Sequence, residues 1–404
     1  MKGSLWWVLL GSLLCAGLVT HRGLLVIFIL ILILASGASA LWAKYCLSNV
    51  TYRRRLGNSH LSFGEETTLE LEIVNAKPLP LAWLLVRDHF PRQITLLTGR
   101  LRKGFSHKPA QLVMLFSLRW YERVIRIHRI RGDERGVFQI GPAELISGDM
   151  FGARRRKKMV KKTTTLVVYP KVVPIHILGL PTNRPLGEWG APRQIIEDPL
   201  RFAAVREYVP GDNPRYIHWK ATARTGKLQS KVFEPSTKLT LLIAVDVQTR
   251  PKAYETIPEY LEFIISTAAS LATYALEQRH SVGLYANSLG LQGEHWVQVP
   301  PSRHPQQAME LLTALASLTS FRGIPFTDML HQQMPVLPFG ATIAAITARP
   351  NSSLYETLDE LRSRGHGILL LTVGESPPQV PFAIPTYHLG GLDVWQRLEA
   401  LELA

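Results

Sequence analysis

Two uncharged apolar runs open the chain, Ser4 to Thr20 over 17 residues and Leu24 to Trp42 over 19. Each is near the roughly 20 residues that cross a bilayer as a helix. Only His21-Arg22-Gly23 separates them, so residues 1–45 read as a transmembrane helical hairpin. Trp6, Trp7 and Trp42 fall near the ends, where aromatic rings favour the interface. Ala38-Ser39-Ala40 has the look of a signal-peptide cleavage site. An apolar region broken by Arg22 and reaching position 40 is too long for one. Lys2 precedes the hairpin and Lys44, Arg53, Arg54 and Arg55 follow it, against Arg22 and His21 in its loop. That bias places both ends, and the bulk of the chain, in the cytoplasm.

From residue 50 to 175 the period becomes two. Thr67 to Asn75 alternates apolar and polar positions, and Arg123 to Arg131 alternates apolar and basic ones. Trp83 to Arg87, Ile94 to Leu97, Gln111 to Leu118 and Thr165 to Pro170 are further strand candidates. Short strands with no helices between them predict an antiparallel β-sandwich of immunoglobulin-like kind. Residues 176–237 form a connector rich in Pro and Gly. After it, Leu239 to Asp246 is a continuously apolar strand, as a sheet covered on both faces requires. Helices are expected near 258–278, 304–318, 326–334, 352–364 and 392–401, with strands near 281–285, 341–347, 367–373 and 386–389. The alternation predicts a doubly wound α/β domain over residues 238–404. The chain is thus multi-domain: helical hairpin, β-sandwich, connector, α/β sheet.

Charge sharpens that picture. The net charge of +15 suits an anionic surface. Seven of the nine residues from 154 to 162 are basic: Arg154, Arg155, Arg156, Lys157, Lys158, Lys161 and Lys162. They read as a solvated hairpin tip, or as candidates for contact with anionic lipid at about 1 kcal/mol for each residue near the surface. No zinc-finger spacing or RNA-binding sheet motif accompanies them, so nucleic acid is not an expected partner. Cys15 and Cys46 are the only cysteines, which excludes a disulfide framework.

Within the connector, residues 206–234 hold the densest cluster of informative positions. Pro210-Gly211 marks a turn, Asp212 or Asn213 can cap a following helix with Pro214 at its first position, and Gly226 can end it. Lys227 to Phe233 reads as a strand. Trp219 is a core candidate, and Arg206 with Asp212 a candidate ion pair pinning the turn. Arg206, Tyr208, Gly211, Asp212, Arg215, Trp219 and Arg224 are the alternative set for docking a partner, since Trp and Arg dominate interface energies.

Arg206, Tyr208, Pro210, Gly211, Asp212, Arg215, Ile217, Trp219, Ala223, Arg224, Gly226, Leu228, Phe233 and Glu234 together resemble the signature of the bacterial family called domain of unknown function 58. The resemblance implies a von Willebrand factor A-like fold for the C-terminal half. In that fold a D-x-S-x-S motif commonly holds magnesium; here the matching stretch is Asp246-Val-Gln248-Thr-Arg250, where only the Asp remains. The site reads as degenerate, and no metal or cofactor is expected. Gly226-Lys227 lacks the rest of a phosphate loop, and His218 reads as a packed or capping histidine.

The function expected from these readings is that of a non-enzymatic adaptor or scaffold in the bacterial inner membrane. The resemblance implies assembly or chaperone-like work beside a MoxR-type AAA ATPase and a transglutaminase-like membrane protein. The competing readings are an enzyme built on the signature around Asp212 and His218, and a sensor of anionic lipid.

Overall fold

The computed structural model describes the chain apart from residues 1, 20–22, 100, 103–109, 151, 153, 178–196, 210–216, 236–239, 253–254, 291–292, 339, 382–383, 398–400 and 404. It divides into two compact units, Met1–Tyr169 and Pro170–Ala404. The boundary at residue 169 is earlier than the 175 expected from the strand pattern. The reason is that residues after it pair within the second unit. Val173 N–H donates to Ser270 Oγ at 2.9 Å, and Ile175–Ile177 pairs in parallel with Leu401–Leu403.

The first unit begins with α1 (Lys2–Val19) and α2 (Gly23–Tyr45). One stretch within α2, Val26–Tyr45, is long and apolar enough to cross a membrane, with a mean hydropathy of 2.5. Ile27, Phe28, Leu30, Ile31 and Leu34 of α2 face outward. The last turn of α2 is built into the domain that follows. Cys46 and Leu47 are buried in the sandwich core, with Trp42 packed against it. Lys77 Nζ donates to the carbonyls of Cys46 at 2.7 Å and Ser48 at 2.9 Å, and burial pushes its ammonium down to about 8. Ser39 Oγ donates to Asp149 Oδ2 at 2.7 Å. The helix end is therefore clamped to the domain rather than tethered by a loose linker.

The sandwich forms as the period-two pattern predicts. One sheet orders its strands as β1 (Val50–Leu56), Glu66–Asn75, Arg123–Gly132 and Ile94–Leu96. The other runs from β2 (Arg155–Val160) through Ala143–Gly148, Leu81–Phe90 and Ala110–Leu118 to Leu101–Arg102. Leu69, Leu71 and Ile73 from one sheet meet Leu84, Val86, Leu112 and Met114 from the other in a single core. Inside it lies an ion pair that the pattern does not reveal. Arg54 Nε and Nη2 donate to the two oxygens of Asp88 at 2.6 and 2.8 Å, and Tyr52 Oη donates at 2.6 Å. Both charged side chains are almost wholly buried, at 2% and 0% exposure.

The basic run is not the hairpin tip expected from its charge. Six of its residues form β2, paired antiparallel with Ala143–Gly148 as the outermost strand of its sheet. An edge strand rich in Arg and Lys resists pairing with a stray chain, which explains charge where a loop was expected.

After Ile175–Ile177, the second unit continues with β3 (Glu197–Glu207), α3 (Trp219–Thr225) and β4 (Gln229–Pro235), β3 and β4 pairing antiparallel. The α/β sheet follows: β5 (Thr240–Val245), β6 (Ser281–Ala286), β7 (Val297–Ser302), β8 (Thr342–Thr347), β9 (Gly367–Thr372) and β10 (Thr386–His388). Their order in space is β7-β6-β5-β8-β9-β10, all parallel except β7. Alternate residues of β5 serve opposite faces. Leu241, Ile243 and Val245 pack with α4 (Pro258–Glu277), while Leu242 and Ala244 pack with α5 (Phe326–Gln333) and α6 (Ser352–Ser363). That two-sided burial is why the strand is apolar throughout Leu241 to Val245. The pattern missed β7, whose Pro300 and Pro301 suit only an edge strand. It also ran the last helix too far: the helix stops at Gln396, and Leu401–Leu403 is a strand.

Candidate functional site

Two places in the second unit carry the residues of interest. The first is the β3-α3-β4 element. Its helix runs from Trp219, and the expected Asp212 or Asn213 cap with Pro214 lies outside the described residues. His218 is the cap: its Nδ1 accepts from Ala221 N–H at 3.0 Å. Ile217, just before the cap, is bridged to Ser230. Gly226 ends the helix at φ 71°, the left-handed conformation expected of it.

No residue of α3 is buried. Trp219 is 69% exposed, which overturns its reading as a core residue. A seven-residue helix lying outside the sheet has no apolar layer to press the indole into. Arg206, Lys220, Arg224 and Lys227 are exposed as well, and Tyr208 is half-buried. Lys227 Nζ pairs with Glu207 at 2.8 Å. Gly211, Asp212 and Arg215 lie outside the described residues, and with them the Arg206–Asp212 ion pair and the Asp212–His218 enzyme reading.

The second place is a crevice of about 150 Å³ lined by Asp246, Gln248, Arg322, Phe326, Arg349 and Asn351 among others. It opens at the carboxyl ends of β5 and β8. These neighbours lead in opposite directions across the sheet, β5 to β6 and β8 to β9, and open α/β sheets bind ligands at such a switch point. Asp246 sits buried at its floor. Its Oδ1 accepts from Asn287 Nδ2 at 2.9 Å and from Gln248 N–H at 3.1 Å, and its Oδ2 from Thr347 Oγ1 at 2.9 Å. Burial raises its pKa above the ordinary carboxyl value, opposed by these hydrogen bonds and by Arg349.

The residues present do not fit a magnesium ion. That ion needs a near-octahedral shell of free oxygens. Both Asp246 oxygens already accept from protein donors, and Gln248 Oε1 accepts from Arg322 Nη1 at 2.5 Å. Arg250, standing at the third motif position, turns to Glu255 at 3.8 Å. Arg322 and Arg349 supply positive charge where a cation would need oxygens. Asn287 and Arg322 escaped the sequence reading. The only signal was a polar residue directly after an apolar strand for Asn287, and a lone Arg in a loop for Arg322.

Both places fall inside one stretch of the chain that has relatives. Residues 204–362 match the family model described as protein of unknown function DUF58. The DUF58 region runs from within β3 through most of α6, so it holds the exposed helix and the crevice together. It leaves out α1, α2 and the sandwich. The chain is also 24% identical over 247 residues to the uncharacterized protein YeaD of Bacillus subtilis (strain 168). That match covers 61% of this chain and 58% of the relative. Among solved structures, the CARDB domain of the PF1109 protein from Pyrococcus furiosus is 12% identical, covering 30% of this chain and 86% of that one at a TM-score of 0.20. A non-cellulosomal cohesin from Archaeoglobus fulgidus is 10% identical, with coverage of 30% and 91% and a TM-score of 0.21. At such scores neither carries an argument.

Proposed function

We propose that the chain is a membrane-anchored adaptor whose DUF58 region docks an acidic protein partner through α3 and its flanking strands. The observation that carries this reading is Trp219. A large indole left 69% exposed on a helix with no buried residue, in an element that also exposes Arg206, Lys220, Arg224 and Lys227, has the composition of an interface hot spot. The crevice supports a non-catalytic role, since its one buried carboxylate is committed to Asn287, Thr347 and Gln248. His218 weighs the same way, because its Nδ1 serves the helix cap. The sheet order, with an antiparallel edge strand on an otherwise parallel sheet, supports a von Willebrand factor A-like domain. The partner proposed is a MoxR-type AAA ATPase, with a transglutaminase-like membrane protein beside it; this step is analogy from the family.

The test uses the full chain in neutral detergent and a purified MoxR-type ATPase. Trp219→Ala and Arg224→Lys are each expected to weaken binding by about 1–3 kcal/mol, Lys being unable to reproduce the planar contacts of Arg. Melting temperatures should hold, because neither side chain is buried. Wild-type binding by both variants, or melting as depressed as a core substitution would give, overturns the docking reading.

For the anchor, the proposal is the two-helix hairpin with both ends in the cytoplasm of the bacterial cell. The apolar, outward-facing α2 and the basic residues after it support this. A cysteine at position 404, in a chain carrying Cys15→Ser and Cys46→Ala, should resist membrane-impermeant thiol reagents in intact cells. Ready labelling there reverses the orientation.

A further inference from the structure

Another cavity lies in the first unit, outside the stretch that matches DUF58. It is a cleft of about 650 Å³ between β1 and β2. These are the outermost strands of the two sandwich sheets, each paired along one side only. All six residues from Val50 to Arg55 line the cleft, and so do Lys158, Met159 and Val160 in succession. Consecutive strand residues point to opposite faces. A cleft lined by an unbroken run therefore meets each strand along its edge, where backbone N–H and C=O groups lack a ladder partner.

Two contacts span the gap. Lys158 Nζ donates to the Val50 carbonyl at 2.8 Å, and Arg54 Nη1 donates to the Lys162 carbonyl at 2.6 Å. From Val50 to Arg54 and from Lys158 to Lys162 the step is the same, so the two edges run side by side in one direction. The lining is basic and includes no acidic residue among the described ones. Arg54 is matched by Asp88, and Arg55 reaches Glu72 at 3.7 Å; Arg53, Lys158 and Lys162 are exposed and leave an excess of positive charge.

We propose that this cleft binds an extended acidic segment of polypeptide as an added strand, its backbone pairing with the edges of β1 and β2 and its carboxylates meeting Arg53, Lys158 and Lys162. Strand addition draws affinity from main-chain hydrogen bonds and selectivity from the side-chain surroundings, and this cleft supplies both. A lipid headgroup would use the charge and leave both backbone edges unanswered, so polypeptide is the better fit. The site is independent of the docking surface proposed for α3, and either can fail without the other.

The test is fluorescence anisotropy on the full chain in neutral detergent, with a labelled peptide alternating glutamate and valine. Saturable binding is expected. Lys158→Glu and Arg53→Glu should each weaken it by about tenfold or more, as expected for reversed charges at a contact. Because Lys158 also reaches the Val50 carbonyl, Arg53→Glu keeps the test sound if Lys158→Glu perturbs the fold. A peptide N-methylated at alternate residues should lose most of the binding, since it cannot donate to a strand edge. Equal binding of the N-methylated peptide, or of a lysine–valine peptide, overturns strand addition. Absence of binding overturns it too and leaves the charges as protection against edge pairing. Should short-chain phosphatidylglycerol bind with the same dependence on Lys158 and Arg53 while the peptide does not, the cleft is a headgroup site and the proposal fails.

Discussion

Replacing Asp88 with alanine is expected to destabilise the sandwich by about 3–5 kcal/mol, the range seen when one partner of a buried ion pair is removed. The cost comes from what remains. The Arg54 guanidinium, 2% exposed, would keep its charge with one carbonyl acceptor, that of Lys162, and the Tyr52 hydroxyl would lose its acceptor. Burial and the neighbouring Asp88 both raise the Tyr52 pKa, so the phenol stays a donor across the working pH range. Tyr52→Phe removes a single hydrogen bond to a charged group and should cost less, about 1.5–3 kcal/mol. Hydrogen exchange on the full chain in detergent separates these outcomes. Amides of Glu66–Asn75 and Ala110–Leu118 should open roughly 10² to 10⁴ times more often in Asp88→Ala. Amides of β5 and β8, in the other unit, should be unaffected. A triple replacement, Arg54→Met with Asp88→Leu and Tyr52→Phe, should recover most of the loss, because a well-packed apolar set often equals a buried ion pair. An Asp88→Ala cost below about 1 kcal/mol would mean that solvent reaches the pair.

That ion pair also shows where sequence reasoning stops. Periodicity reports which face of a strand is buried, and it placed the sandwich strands and those of the α/β sheet because Leu69, Leu71 and Ile73, or Leu241 to Val245, have no other way to leave water. It cannot report that Arg54 and Asp88, 34 positions apart, meet inside the core. On pattern alone each is a polar residue out of place on an inward face, Arg54 in step with Val50 and Tyr52 and Asp88 with Val86 and Phe90, and the pattern names no partner for either. The same blindness hid β7, an edge strand containing prolines, and mistook β2 for a loop tip, since a charged edge strand and a charged turn share a composition. The α3 element was legible as an element and misread in depth. Gly226 ended the helix as expected and His218 served as a cap, yet Trp219 points outward. Burial of an aromatic residue depends on what packs over it, and a short helix off the sheet edge gains no cover from its own sequence. The basic residues of β2 show the same limit from the other side. Their charge was plain, while the cleft they share with β1 exists only through the topology of two sheets.

At the crevice, Asp246→Ala is expected to lower the stability of the α/β unit by about 3–5 kcal/mol. Asn287 Nδ2, Thr347 Oγ1 and the Gln248 amide would each lose their acceptor, and an unsatisfied buried group costs about 1–3 kcal/mol. The loss would spread. Asn287 Oδ1 also accepts from Val247 N–H at 2.8 Å, so Asp246 holds together the chain leaving β5 and the chain leaving β6. Asp246→Asn should behave differently. An amide oxygen can still accept from Asn287 and Gln248, while its NH₂ turns to the Thr347 hydroxyl, which accepts as well as donates. The pH dependence follows from the raised pKa of Asp246, caused first by burial. The folded protein then holds this proton more tightly than the unfolded chain does. The resulting stability is complete below the unfolded carboxyl value of about 3.9 and is lost as pH rises through the raised folded value. Asp246→Asn removes that loss, so the variant should gain on the parent as pH rises and show the flatter profile. Denaturant melts at several pH values, read by exchange of the β5 and β8 amides, would show it. If Asp246→Ala proves no worse than Asp246→Asn at neutral pH, the carboxylate is not what joins these strand ends.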